Sequence, residues 1–226
     1  MQVTIRIDPS ILNVGYAFLA YAEVRGVRVV KASPEADGEL RKAEEEVRRK
    51  YKLEELKDHE IVRAFRKFYW RLGIDPTKQR PASEALVRRV LRGRKMPRIN
   101  NVVDAGNVVS LLTLIPIGIY DLGRVRGNLV LRTAMEGERF TPIGGREEVL
   151  TPSQIVLADE EKILHVFPHR DSVHTMVRED TKDVLVVACG VEGVREDTVV
   201  EAARKTAMLV SKLAGGVPGE VRVATP

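Results

Sequence analysis

The chain has 226 residues, 44% of them hydrophobic and 31% charged, with a formal net charge of +5 at pH 7. Its one cysteine, Cys189, excludes an internal disulfide framework and a thiolate metal cage, and the 5% aromatic content argues against a surface built from many aromatic platforms for single strands. No apolar run reaches membrane-spanning length, and the first residues read as a strand rather than a secretory signal, so the chain is expected in the cytoplasm with no membrane partner.

Val3, Ile5 and Ile7 alternate with Thr4 and Arg6, the two-residue period of a strand. Tyr16, Phe18, Ala20, Ala22 and Val24 alternate likewise, and Gly26 turns the chain into a further stretch, Val27 to Val30. From Pro34 to Lys57 the residues are mostly Glu, Lys and Arg. Leu40, Ala43, Val47 and Tyr51 give this helix only a narrow apolar stripe. Asp58 is placed to cap a second helix, with Ile61, Phe65, Phe68 and Leu72 on one face and Gly73 ending it. Trp70 is expected to pack. Pro81 opens a third helix, where its missing N–H does no harm.

Arg88, Arg89, Arg92, Arg94, Lys95 and Arg98 then crowd a short segment. They suit contact with phosphates, or equally a solvated helix end whose cations complement the dipole. The excess of positive charge over the whole chain carries the same ambiguity: a polyanionic partner, or the mixed-charge surface of a heat-adapted protein.

The next segment is the most informative. Asn100, Asn101, Asp104 and Asn107 fringe a helix that is otherwise almost wholly apolar, through Leu111, Leu112 and Leu114. Buried amides and carboxylates are costly unless hydrogen-bonded. These residues therefore either cap the helix they open or line a pocket. After Pro116 the pattern turns to short strands at 129–133, 139–142, 147–150, 155–158, 163–167 and 184–188. A last helix covers about 197–213 and is closed by Gly215 and Gly216. Gly144-Gly145 reads as a hairpin turn and Cys189 as a small core residue. Strands, helices, strands and a helix in that order predict an α+β fold, organised as one compact unit over 1–226.

The loop from Phe167 to Thr175 gathers the remaining polar chemistry. His174 is a candidate general base with Asp171 to orient it, and Arg170 a candidate for an oxyanion or phosphate. The alternative is a polar turn in which Arg170 and Asp171 pair with each other. His165, His169 and His174 with Asp171 form no convincing metal set, because His165 and His169 lie about 13 Å apart if extended. No metal or other cofactor is expected.

Asn101-Val102-Val103-Asp104, Asn107, Pro116 and Tyr120-Asp121-Leu122 resemble, in order and spacing, the editing domain of the phenylalanyl-tRNA synthetase beta subunit. So do Leu131-Arg132 with Gly137-Glu138, Val156 with Ala158-Asp159, and Thr181 with Val184-Leu185. The likeness covers 80–191, with 34–73 as a helical insertion. Trp70-Arg71-Leu72-Gly73 and Arg80-Pro81-Ala82-Ser83-Glu84 resemble relatives of that domain that occur without the synthetase. The resemblance implies a three-layer β/β/α domain that receives the aminoacyl end of tRNA, with tRNA or aminoacyl-tRNA as partner and no DNA. Asn101, Asp104, Asn107, Pro116 and Gly118 would line the substrate pocket. In the family a histidine stands at Gly118, a threonine at Gly106 and a glutamate near Met176. Hydrolysis in trans of tyrosine misattached to phenylalanine tRNA is the sharpest function implied. A non-catalytic RNA-binding accessory protein and a module for an amino-acid derivative stand beside it. The chain is too short for a ligase and carries no class II synthetase motif.

Overall fold

The structure, a computed structural model, describes residues 2–226. In chain order the elements are β1 (Ile5–Ile7), β2 (Ala17–Arg25), α1 (Pro34–Lys50), α2 (Glu60–Arg71), α3 (Ala82–Leu91) and α4 (Asn101–Thr113). Next come β3 (Ile117–Asp121), β4 (Leu129–Thr133), β5 (Arg139–Phe140), β6 (Glu148–Val149), β7 (Ile155–Ala158), β8 (Ile163–Val166) and β9 (Arg170–Asp171). The chain ends with β10 (Asp183–Val191), α5 (Glu196–Ala214), β11 (Val217–Pro218) and β12 (Arg222–Ala224). The fold is α+β, as the order of elements predicts.

A central antiparallel sheet runs β11-β2-β10-β3, with β12 also paired to β2. A second sheet runs β1-β4-β7-β8-β9, and β5 and β6 form a separate hairpin. Both long strands, β2 and β10, are buried on nearly every residue, so the central sheet is covered on both faces. Register assigns the faces, because residues paired across an antiparallel ladder share a side. Leu185 pairs with Tyr120 and Glu23, Val187 with Gly118 and Tyr21, and Cys189 with Leu19. This side meets the second sheet, where the Tyr120 hydroxyl reaches His165 of β8. Val184, Val186, Ala22 and Val24 take the opposite side and join Val102 and Ala105 of α4 and Ala207 and Val210 of α5 in one apolar cluster. Second sheet, central sheet and helices are thus three successive layers.

α1 and α3 flank α4 on its far side, where Leu40, Ala43, Val47, Val87, Val90, Val108, Leu111 and Leu114 pack together. Burial of each such aliphatic side chain contributes roughly 1.5–3 kcal/mol. The buried carboxylate of Glu84 binds Arg66 Nη2 at 2.6 Å and Arg88 Nε at 2.7 Å, tying α3 to α2. Several local expectations shift. Val27 to Val30 is irregular rather than a strand, and α1 ends at Lys50. α2 is capped by His59, whose Nδ1 accepts from the Ile61 N–H, not by Asp58. The family motif residues hold turns. Asp121 accepts from Thr181 Oγ1 at 2.7 Å and from the Gly123 N–H at 2.9 Å. Arg132 forks onto Glu138 at 2.6 and 2.9 Å. Asp159 accepts from the N–H groups of Arg126, Glu161 and Lys162, each at 2.8 Å.

Candidate functional site

The amide fringe of α4 is mostly structural. Asn100 is the N-cap, its Oδ1 accepting from the N–H groups of Val102 at 3.1 Å and Val103 at 2.8 Å. Asn101, expected to line a pocket, is buried and makes three bonds. Its Oδ1 accepts from the Val30 N–H at 2.9 Å, and its Nδ2 donates to the carbonyls of Arg28 at 2.9 Å and Leu213 at 3.0 Å. It clamps α4 to the segment after β2 and to the end of α5. Asp104 accepts from the Ile99 N–H at 3.1 Å. Burial raises its pKa, against the pull of that N–H and of Arg98. Among the described residues no side-chain bond holds Asn107, half-buried on the same helix, and Pro116 is buried with its carbonyl on the Cys189 N–H at 3.0 Å.

Gly106 and Gly118 both lie close against neighbouring side chains. A Cβ on Gly106 meets Ile119 Cδ1 at 2.9 Å, and a Cβ on Gly118 falls within the hydroxyl of Tyr120. The Tyr120 side chain thus occupies the space above Gly118. Its hydroxyl lies 2.8 Å from His165 Nδ1 and 3.0 Å from Asp171 Oδ1, and His165 Nδ1 is itself 3.0 Å from that carboxylate oxygen. Cys189 Sγ stands 4.0 Å from His165 Nε2. The assignment that satisfies every group gives Asp171 Oδ1 two donors, the phenol and Nδ1–H, and leaves the Nε2 lone pair facing the thiol. Burial, then the Asp171 charge, lifts the pKa of both Tyr120 and Cys189 well above the ordinary range, so both stay protonated. Asp171 is the outlet of this cluster, with a third of its side chain exposed.

The expected triad of His174, Asp171 and Arg170 is therefore not assembled. Asp171 turns inward to His165 and Tyr120. Arg170 pairs with Glu148, Nη1 to Oε2 at 2.8 Å, so it does not pair with Asp171 either. His174 is exposed, and only its backbone N–H is held, by Ser172 Oγ at 3.2 Å. His169 lies under α2, in contact with Gln79 and with its ring 5.9 Å from that of Tyr69. Burial and the neighbouring Arg170 push its pKa down to about 3, so it is neutral at pH 7. Among the described residues no three His, Cys, Asp or Glu side chains converge as metal ligands do. Sequence alternation hinted at the Tyr120 cluster, since Tyr120 shares a strand face with Gly118. The arrival of His165 from another sheet had no local signal.

The basic segment divides. Arg88 is spent on Glu84, and Arg98 on Asp37, on Glu44 at 3.0 Å and on the Met96 carbonyl at 2.7 Å. Arg89, Arg92, Arg94 and Lys95 are exposed. Arg89 Nε caps the turn by donating to the Lys95 carbonyl at 2.7 Å, and among the described residues the four make no ion pair with an acidic side chain. They stand at the end of α3, one short loop before α4. Trp70, expected to pack, is 59% exposed.

These layers and motifs are those of a known family: residues 64–215 match the B3/4 domain, and the chain belongs to that family. Among curated proteins it is similar to the beta subunit of phenylalanine–tRNA ligase. The Symbiobacterium thermophilum subunit is 31% identical over 159 residues, 59% of this chain and 18% of that protein. The Aquifex aeolicus subunit is 38% identical over 88 residues, 39% of this chain and 11% of that protein. The chain thus spans only a small part of the length of these relatives. An N-terminal fragment of the phenylalanyl-tRNA synthetase beta subunit from Pyrococcus horikoshii superposes with a TM-score of 0.52 at 16% identity, covering 99% of this chain and 51% of that one. This last likeness establishes the fold alone.

Proposed function

We propose that the chain is a tRNA-binding module that meets the acceptor end of tRNA or aminoacyl-tRNA in trans without hydrolysing it at the family position. The observation that carries this reading is the group Arg89, Arg92, Arg94 and Lys95, all exposed and none held in an ion pair among the described residues, beside the helix that bears Asn107. Phosphates are the complement of such a group, and releasing their counterions supplies the binding free energy. The space above Gly118, where the resemblance would place the family histidine, is occupied by Tyr120. An aminoacyl ester needs that room, together with a placed water and an oxyanion donor.

Fluorescence anisotropy with phenylalanine tRNA over a salt series tests the proposal. Affinity is expected to fall steeply with salt, with a log–log slope of about −3 for some four phosphate contacts, and changing all four cations to Ala should flatten that slope. Salt-insensitive binding, or none, overturns it.

The His165–Asp171 pairing favours one second reading, an aminoacyl-tRNA deacylase. An imidazole with an orienting carboxylate stands where the family histidine would point, and hydrolysis would require Tyr120 to leave the space above Gly118. Tyrosyl-tRNA specific for phenylalanine decides between the two. Under the leading reading the ester decays at its uncatalysed rate. An acceleration that His165→Ala abolishes establishes the deacylase instead.

A further inference from the structure

We propose that the outer row of α2 is a stacking platform for an unpaired nucleobase of a single-stranded RNA end, with Trp70 as the platform and Arg63 and Lys67 as phosphate contacts. Glu60, Arg63, Lys67 and Trp70 recur at three- and four-residue intervals, so they stand in one line on the helix surface. They border a cleft of about 690 Å³ whose other wall includes Glu192 and Gly193. Trp70 is 59% exposed on a helix whose opposite face buries Val62, Phe65, Phe68 and Tyr69. Packing therefore does not account for an indole at this position.

Charge selects the occupant. Two cations near the row are neutralised: Arg66 by Glu84 and Arg71 by Glu192. They brace the walls of the cleft. Arg63 and Lys67 are exposed and make no ion pair among the described residues, while Glu60 marks the far end at the first turn of the helix. An indole face flanked by two unspent cations on one helix line fits a base on the ring with its flanking phosphates alongside. A protein partner fits less well, since an unpaired lysine is depleted from the centre of protein interfaces. The inference rests on the tRNA-binding reading and adds to it a second contact, for an unpaired base.

Trp70 is the sole tryptophan of the chain, so fluorescence excited selectively at tryptophan reports this position alone. Titration with a short unstructured RNA should quench it, whereas a blunt RNA duplex of the same length should not. Trp70→Ala should weaken the unstructured RNA about tenfold. Because the side chain is exposed, the variant should fold normally, and circular dichroism checks that. Arg63→Ala with Lys67→Ala should lower the salt dependence of the same binding. Should tRNA bind to wild type and Trp70→Ala alike with no quenching, the platform is overturned and the tRNA-binding reading stands. Should neither RNA bind, both fall. Self-association that Trp70→Ala abolishes, with RNA binding untouched, assigns the row to a second copy of the chain and also overturns the platform.

Discussion

Replacing Asn101 by Ala separates a structural amide from a ligand-binding one. The side chain is 1% exposed and makes three hydrogen bonds of 2.9, 2.9 and 3.0 Å, all to backbone groups distant in sequence. Each such bond is worth about 1 kcal/mol net, and each buried group left without a partner costs about 1–3 kcal/mol. The Val30 N–H and the carbonyls of Arg28 and Leu213 would all be stranded. Partial relaxation and water entry temper the sum, and a loss of about 3–5 kcal/mol is expected. For a chain of this size each kcal/mol lowers Tm by roughly 2–4 °C, so Tm should drop by about 10 °C. Asn101→Asp should fare no better, because it keeps the acceptor for Val30 but aims an oxygen at two carbonyls. Chemical denaturation and thermal scans by circular dichroism measure both variants. An unchanged Tm accompanied by weaker tRNA or aminoacyl-tRNA binding would refute the clamp and restore Asn101 to a substrate pocket.

Gly118→Ala should cost about 1–3 kcal/mol, because its Cβ collides with the Tyr120 side chain. On a Tyr120→Ala background the same change should cost almost nothing, so a double-mutant cycle in urea that returns additive losses disproves the packing account. Glu84→Ala strands two guanidinium groups that are only 18% and 14% exposed, with an expected loss of about 3–5 kcal/mol read from the denaturation midpoint. His169 makes stability acid-sensitive. Its folded pKa, lowered by burial and Arg170 to about 3, lies below the unfolded value of 6.5. The unfolded chain therefore takes up this proton first, and the contribution, complete above pH 6.5, erodes as pH falls toward 3, by about 1.4 kcal/mol per unit at most. Tm measured across that window should fall less steeply in His169→Asn. Equal slopes would place the acid sensitivity elsewhere.

Local chemistry wrote much of this molecule into its sequence. The periods of β2, α4 and α5, the Asn100 cap, and the stops at Gly73 and Gly215-Gly216 follow from side-chain spacing and backbone freedom that act within a few residues. The family likeness was legible for a related reason. Asp121, Arg132, Glu138, Asp159 and Thr181 hold turns, and turns accept few residue types. Sequence alone could not say which polar residues were already engaged. Asn101 is consumed by carbonyls 73 and 112 positions away, Asp171 by a histidine on the next strand and a phenol on another sheet, and Arg98 by two carboxylates of α1. The same holds for Trp70, whose exposure depends on what packs against α2. Spacing along the chain fixes which way a side chain leaves its own helix or strand, but its partners arrive through tertiary packing, and a buried polar group is claimed by whichever donor or acceptor that packing brings within 3 Å.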